Sequence, residues 1–340
     1  MASTTIDDVA ALAGVSIKTV SRVVNREPNV RPATRAKVEV AISALQYRPN
    51  LSARSLAGSR SFVLGLIYAD PSAHYVLDIQ EGVLEICRPQ GYELLVHPAS
   101  NRDPKLMPEV SELILEKRVD GVILTPPLSD NLTLIKELKR LVIPFVRVAP
   151  TEEKQLSPYV ETNDRDASHM MTSQLIAMGH KRIGFICGHP DHRAIGLRFE
   201  GYKSALLEHQ LVLKSEWVQQ GDNSFESGEQ CARRLLLQTQ RPTAIFAAND
   251  EMAAGVIMVA HQLGIGIPQE LSVAGFDDTP VAHQIWPTLT TVRQPIRAMA
   301  KNATELLLKK IKGGELVLPT ASLSSLIIER NSTGAAPLVL

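Results

Sequence analysis

Thr5-Ile-Asp-Asp-Val-Ala-Ala-Leu-Ala-Gly14-Val-Ser16-Ile-Lys-Thr-Val-Ser-Arg22-Val-Val-Asn25 is the stretch that decides how this 340-residue chain is read. Thr5 and Asp8 are spaced as a capping box, so a helix begins near Ile6, with both acids favourable in its first turn. Val9 and Ala13 share one face, Gly14 supplies the left-handed residue that ends the helix, and Ser16 caps a second helix from Ile17. On that helix Val20, Val23 and Val24 turn inward and Ile17, Lys18, Ser21, Arg22 and Asn25 turn outward. Two short helices around a glycine turn, the second with a cationic outer face, form a helix-turn-helix whose second helix fits the major groove. Arg22 and Lys18 then reach guanine edges and Ile17 meets a thymine methyl. Thr5, Ser16, Thr19, Ser21 and Asn25 are placed for phosphate contacts. The alternative is a solvated basic helical bundle that touches no nucleic acid.

Moving outward, a third helix starts at Pro32 and closes a small core with Val38, Ala41, Ile42 and Leu45. Thr34 and Tyr47 are further phosphate candidates. Asn50-Leu-Ser-Ala-Arg-Ser-Leu-Ala-Gly58 has its own cap and its own stop, and Asn50 is also placed on phosphate. A helix this short does not persist alone in water, and Leu56 on it is an apolar wedge suited to a minor groove. Charge agrees with that use. The first 60 residues carry nine Lys and Arg against four Asp and Glu, whereas the rest carries 27 against 32, so a chain of net charge +0 has a basic head on an acidic body.

After Pro49 and the linker ending at Ser61 the pattern changes. Apolar runs at 62–68, 92–97, 121–125, 144–148, 159–162, 182–187, 244–247, 272–276, 290–292 and 325–328 alternate with helical stretches, which implies βαβ units and parallel sheets covered on both faces. Ten strands suit two doubly wound α/β sheets. Ligands of such sheets sit at the carboxyl ends of strands, and there the chain places Asp70, Ser72, Arg147, Asn163-Asp164, Asn249-Asp250 and Asp277-Asp278. Cys87, Cys187 and Cys231 are isolated and set among apolar residues, which reads as reduced thiols of a cytoplasmic protein. Neither an export signal nor a membrane-spanning run is present.

At this point a resemblance becomes specific. Asp8-Val-Ala-Ala-Leu-Ala-Gly-Val-Ser16, Thr19-Val-Ser-Arg-Val-Val-Asn25, Tyr47-Arg-Pro-Asn50 and Leu56-Ala-Gly58 resemble the LacI/GalR family of ligand-responsive transcription repressors. Gly179-His180, Arg198-Phe-Glu-Gly-Tyr202, Asn249-Asp250, Ser272-Val-Ala-Gly-Phe-Asp-Asp278 and Pro287-Thr-Leu-Thr-Thr291 match the family's effector-binding core in order and spacing. The resemblance implies a helix-turn-helix domain at 1–49, a hinge helix and linker at 50–61, and a periplasmic-binding-protein-like core at 62–335. Within the core, lobe 1 takes 62–160 and 293–320, and lobe 2 takes 161–292 and 321–335, with crossovers near Tyr159 to Asn163, Val292 and Ala321. It carries Arg198, Asn249 and Asp277 into an effector pocket as hydrogen-bonding clamps, with Asp70 and Arg147 as candidates from the first lobe. Arg198 and Asp277 also read as a structural ion pair. Two positions depart from the family. Arg31 stands where Ser is common, and the pocket aromatic common near Asn223 is absent, leaving Phe225 or Trp286 either to stack on a sugar or to sit in the core.

The partners implied are a pseudo-palindromic operator in double-stranded DNA, a second copy of the chain, and a small effector of sugar type. No cofactor and no membrane are implied. Residues 334–340 read as a frayed tail without the heptads that build tetramers. A cytoplasmic small-molecule-binding protein or an enzyme on the same α/β fold is the competing reading. Phosphate-binding, zinc-hydrolase and nucleophile-elbow motifs are all missing from the sequence. Cys187-Gly-His189-Pro-Asp191-His192 brings three metal-ligand types together, but Pro190 rules out a regular helix there and no fourth ligand follows.

Overall fold

The structure, a computed structural model, describes residues 4–24, 29–47, 60–69, 72–315 and 321–338. The chain divides into two units, Met1–Phe62 and Val63–Leu340.

The first unit holds α1 (Ile6–Ala13), α2 (Ile17–Val24) and α3 (Pro32–Ala44). The Thr5 hydroxyl accepts from the Asp8 amide and the Asp8 carboxylate accepts from the Thr5 amide, a complete capping box. Gly14 adopts φ 64°, a left-handed conformation that favours glycine, and its amide closes the helix on Ala10 and Ala11. The Ser16 hydroxyl accepts from the Thr19 amide at 3.2 Å and so starts α2. Val9, Ala10, Val20, Val23, Val38 and Ala41 are buried together, with Ile42, Leu45 and Tyr47 packed against them.

In the second unit, β1 (Val63–Tyr68), β2 (Glu93–Pro98), β3 (Gly121–Leu124), β4 (Phe145–Val148), β5 (Tyr159–Thr162) and β11 (Ala321–Leu323) form one sheet in the order β11-β5-β4-β3-β1-β2. The other sheet contains β6 (Ile183–Cys187), β7 (Val218–Gln220), β8 (Ala244–Ala247), β9 (Ser272–Asp277), β10 (Thr290–Arg293) and β12 (Leu326–Ile328), in the order β12-β10-β9-β8-β6-β7. Neighbouring strands are parallel except β10 and β12. The central strands β3, β4 and β8 are buried throughout, which is why β3 and β8 run apolar without alternation, whereas β4 is interrupted by the buried Arg147.

Helices α4 (Ala73–Cys87), α5 (Leu106–Leu115), α6 (Leu132–Arg140) and α12 (Ile296–Ile311) belong to the first sheet. Helices α7 (Asp164–Ala177), α8 (Arg193–Glu208), α9 (Phe225–Leu236), α10 (Asp250–Gln262) and the short α11 (Val281–Gln284) belong to the second. The chain passes between lobes at residue 163, at 294–295 and at 324–325. The last passage lies just beyond Ala321, because Ala321–Leu323 pair with Val160–Thr162 in the first sheet rather than opening the second lobe.

In both sheets the strand order reverses beside the first strand, between β1 and β3 and between β6 and β8. Those reversals create the crevices in which doubly wound folds bind ligands.

Candidate functional site

The first unit presents α2. Ile17 is 48% exposed, Lys18 and Arg22 are exposed, and Val20 and Val23 are buried beneath them, so the outward stripe stands over a fixed core. Thr19 Oγ1 lies 2.9 Å from Ser16 Oγ, and Ser21 is half-buried. Thr5 donates its hydroxyl to Asp8 at 2.8 Å, and its amide and hydroxyl hold the Asp8 carboxyl below the usual range. Thr34 sits half-buried in the first turn of α3. Burial, with Asp7 adding to it, raises the Tyr47 phenol, which stays a hydrogen-bond donor at neutral pH. Asn25, Asn50 and Leu56 lie outside the described residues.

The second unit has a cavity at the paired crevices. From the first lobe come Ser72 and Tyr75 after β1, and Pro126 after β3; from the second come His192, Ile195 and Arg198 after β6, and Asn249 after β8. Asp164, Asn223, Asp277 and Gln294 also line it. It encloses about 30 Å³, room for about two waters. It adjoins a wider chamber of about 340 Å³ that shares His192 and lies between Asn101 and Arg102 of the first lobe and His189, Asp191, Asp222 and Ser224 of the second.

Arg198 is positioned by close helix packing. A Cβ on Gly201 would meet the Arg165 carbonyl oxygen at 2.1 Å, so only glycine lets α8 lie this close to α7. Ser168 of α7 donates to the Arg198 carbonyl at the same crossing. Arg198 Nε then donates to Asp164 at 3.0 Å, Nη1 stands 3.4 Å from Asp277, and the guanidinium lies 3.8 Å from the Phe276 ring centroid. Burial opposes the guanidinium charge, but Asp277 and Asp164 more than restore it and raise the Arg198 pKa.

Asn249 caps α10 by accepting from the Met252 amide at 3.0 Å, and it donates to the Asn223 carbonyl at 2.9 Å. Gln294, on the second passage between lobes, donates to Asp277 at 2.6 Å. Behind the cavity, burial pushes the Asp250 carboxyl well above the usual range, with Asp277 adding to it and the Thr291 hydroxyl and Thr279 amide opposing.

Arg198, Asn249 and Asp277 therefore line one cavity, and Arg198 and Asp277 form the ion pair that the sequence offers as one of their two readings. Arg147 is elsewhere. Its side chain is fully buried, and its guanidinium donates to Ser157 Oγ and to the carbonyls of Ser129, Glu152 and Glu153, which ties down the loop after β4. Asp70 lies outside the described residues. Neither Phe225, half-buried at the start of α9, nor Trp286, 74% exposed, lines the cavity. The aromatic that does is Tyr75, buried in the first turn of α4. Sequence reasoning does not single out Tyr75 or Gln294, and it weighs His192 only as a metal ligand. The available signal was Ser72, which caps α4 through the Tyr75 amide and so points to the helix start. Among the described residues no three His, Cys, Asp or Glu side chains gather as a metal site, and Asp191 is held by Arg102.

A three-helix unit with an exposed cationic second helix, carried in one chain with a two-lobed unit whose cavity is lined by Asp164, Arg198, Asn249 and Asp277, defines a ligand-responsive DNA-binding regulator. Comparison with known proteins agrees. The profile described as "Bacterial regulatory proteins, lacI family" matches residues 5–50, and that of "Periplasmic binding protein-like domain" matches 172–333. Catabolite control protein A of Priestia megaterium is 36% identical over 310 residues, 90% of this chain and 92% of that one. Among solved structures, the transcriptional regulator CelR–cellobiose complex superposes with a TM-score of 0.74 at 30% identity, over 97% of this chain and 99% of that one. The lac repressor dimer bound to operator and the anti-inducer ONPF gives 0.79 at 28% identity, over 98% and 100%. The chain belongs to the lacI family of bacterial regulatory proteins and is a DNA-binding transcriptional regulator of repressor type.

Proposed function

We propose that the protein acts in the cytoplasm as a homodimer that represses carbohydrate-utilisation genes, binding a pseudo-palindromic operator with an affinity set by a sugar or sugar derivative held between its lobes. It works by binding rather than catalysis. The observation that carries this reading is the face of α2, where Ile17, Lys18 and Arg22 stand exposed over buried Val20 and Val23. In this reading Arg22, Lys18 and Ile17 read bases, Leu56 wedges the minor groove, and Thr5, Ser16, Thr19, Ser21, Asn25, Thr34, Tyr47 and Asn50 contact phosphates. Two copies are needed because one short module makes too few contacts, and a two-fold dimer sets half-sites about one helical turn apart. The lac repressor structure is a dimer on operator with a bound anti-inducer, and CelR is seen with cellobiose; both support the arrangement. In the cleft, Arg198, Asn249 and Asp277 grip the effector, and Tyr75 offers the aromatic face.

The test is a selected operator titrated with wild type, Arg22→Ala and Thr19→Ala. Arg22→Ala loses discrimination at one base pair per half-site, about 1–3 kcal/mol, whereas Thr19→Ala weakens all sequences alike. Equal loss of specific and non-specific binding by Arg22→Ala would remove the base-reading role.

A further inference from the structure

The walls of the cleft carry three guanidinium groups among the described residues, and each is already matched. Arg198 lies between Asp164 and Asp277, at 3.0 and 3.4 Å. Arg102, from the first lobe, donates Nε and Nη2 to the two oxygens of Asp191 in the second, both at 2.7 Å. Arg193, in the first turn of α8, pairs with Glu152 of the first lobe beside the adjoining recess. A fifth carboxylate, Asp222, accepts from the Ser224 hydroxyl and amide and faces the outer chamber. Among the described residues three guanidinium groups thus face five carboxylates.

Helix amino termini, the other usual source of positive potential, are also occupied. α4 is capped by Ser72, and α10 is capped by Asn249 with Asp250 and Glu251 in its first turn. α7 opens with Asp164 and Asp166. α4 and α8 open without an acid; at α4 the Ser72 hydroxyl takes the Tyr75 amide, and at α8 Glu152 stands against Arg193. An anionic ligand would have to displace a carboxylate from its arginine and remain beside it. A hydroxyl group meets no such obstacle, since it donates to carboxylates and accepts from the amides of Asn101 and Gln294.

We propose that the cleft selects an uncharged, hydroxyl-rich effector and turns away phosphorylated and carboxylated ones. The inference rests on the reading of this cleft as the effector site. The inner cavity of about 30 Å³ takes one edge of the molecule, and the outer chamber of about 340 Å³ takes its body. The ion pairs Arg102–Asp191 and Arg193–Glu152, each joining the two lobes, close over it.

Calorimetric titration of the full-length protein with glucose, ribose and cellobiose, each beside its terminal phosphate ester, and with glucuronate, hypoxanthine and guanine, tests this. At least one neutral saccharide binds, and its phosphate ester binds about 100-fold more weakly or not at all. Asp191→Asn leaves Arg102 unmatched and narrows that preference by about tenfold or more. A phosphate ester or glucuronate binding more tightly than its neutral parent, a purine base as sole ligand, or no binding by any of them overturns the proposal. Operator titrations with the bound compound keep the two claims apart. If an anionic sugar binds and shifts operator affinity, the charge selection falls and the regulatory reading stands. If a neutral sugar binds and operator affinity stays unchanged, the regulatory reading falls.

Discussion

Replacing Arg198 by alanine tests whether the ion pairs at the centre of the cleft hold the second lobe together. Arg198 is 6% exposed, and the side chains of Asp164 and Asp277 are 4% and 9% exposed. Removing the guanidinium leaves two buried carboxylates without their cation, and breaking a buried pair in this way costs about 3–5 kcal/mol. Loss of the contact with Phe276 and of the bond to the Ala248 carbonyl adds to that cost. Urea unfolding of the full chain, followed by tryptophan fluorescence, reads the effect. Both tryptophans, Trp217 and Trp286, are in the second lobe, and Trp217 is 4% exposed, so its emission reports that lobe's packing. With an m-value of about 2–3 kcal/mol/M the midpoint falls by about 1–2.5 M. The triple variant Arg198→Met, Asp164→Asn, Asp277→Asn removes the stranded charges together with the arginine and regains at least half of the loss. A cost for Arg198→Ala within about 0.5 kcal/mol of zero, or a triple variant no more stable than the single one, would refute the reasoning.

Three further outcomes follow. Leu56→Ala weakens operator binding in anisotropy titrations and leaves calorimetric sugar affinity unchanged; equal operator affinity would end its role as a minor-groove wedge. Burial lowers the His180 pKa from 6.5, against the pull of the Gly334 carbonyl, so its neutral form contributes stability above about pH 6.5 that is lost as pH falls through the folded value. Urea midpoints between about pH 8 and 5 therefore decline on the acid side, and His180→Gln flattens that decline; an unchanged slope would contradict it. Gly201→Ala drives a methyl group against backbone atoms of Arg165 and His169 and costs about 1–3 kcal/mol or more, read by circular dichroism in urea, whereas a neutral result would mean α7 and α8 separate freely.

What the sequence revealed and what it hid follow from the range of the interactions. The capping box at Thr5 and Asp8 and the turn at Gly14 are local devices, and they end their helices where the residue types say they should. Long apolar runs announce the central strands, whereas the edge strands Val218–Gln220 and Ala321–Leu323 have only three residues each and mixed polarity, so no periodicity marks them. Arg147 was misplaced because its partners are carbonyls of a loop that folds back over β4, and no pattern of side chains encodes those. Tyr75, His192 and Gln294 meet only because two sheets bring their strand ends together. The carboxyl-terminal segment also differs from the frayed tail that its composition suggests. The Val273 amide donates to the Ser332 carbonyl, Gly334 donates to Ser272, and Ala336 donates to the Met178 carbonyl, binding residues 332–336 to the second lobe. These bonds, two of them backbone to backbone and one to the Ser272 hydroxyl, span some 60 to 160 positions of chain, beyond the reach of periodicity.

Linkage between the two units is the central claim, and one pair of titrations measures it. Operator affinity is determined with and without the tightest-binding saccharide, and saccharide affinity with and without operator. The account predicts two equal factors of about 5- to 150-fold, because coupling between two binding sites is reciprocal. A saccharide that occupies the cleft at saturation while leaving operator affinity unchanged would contradict it.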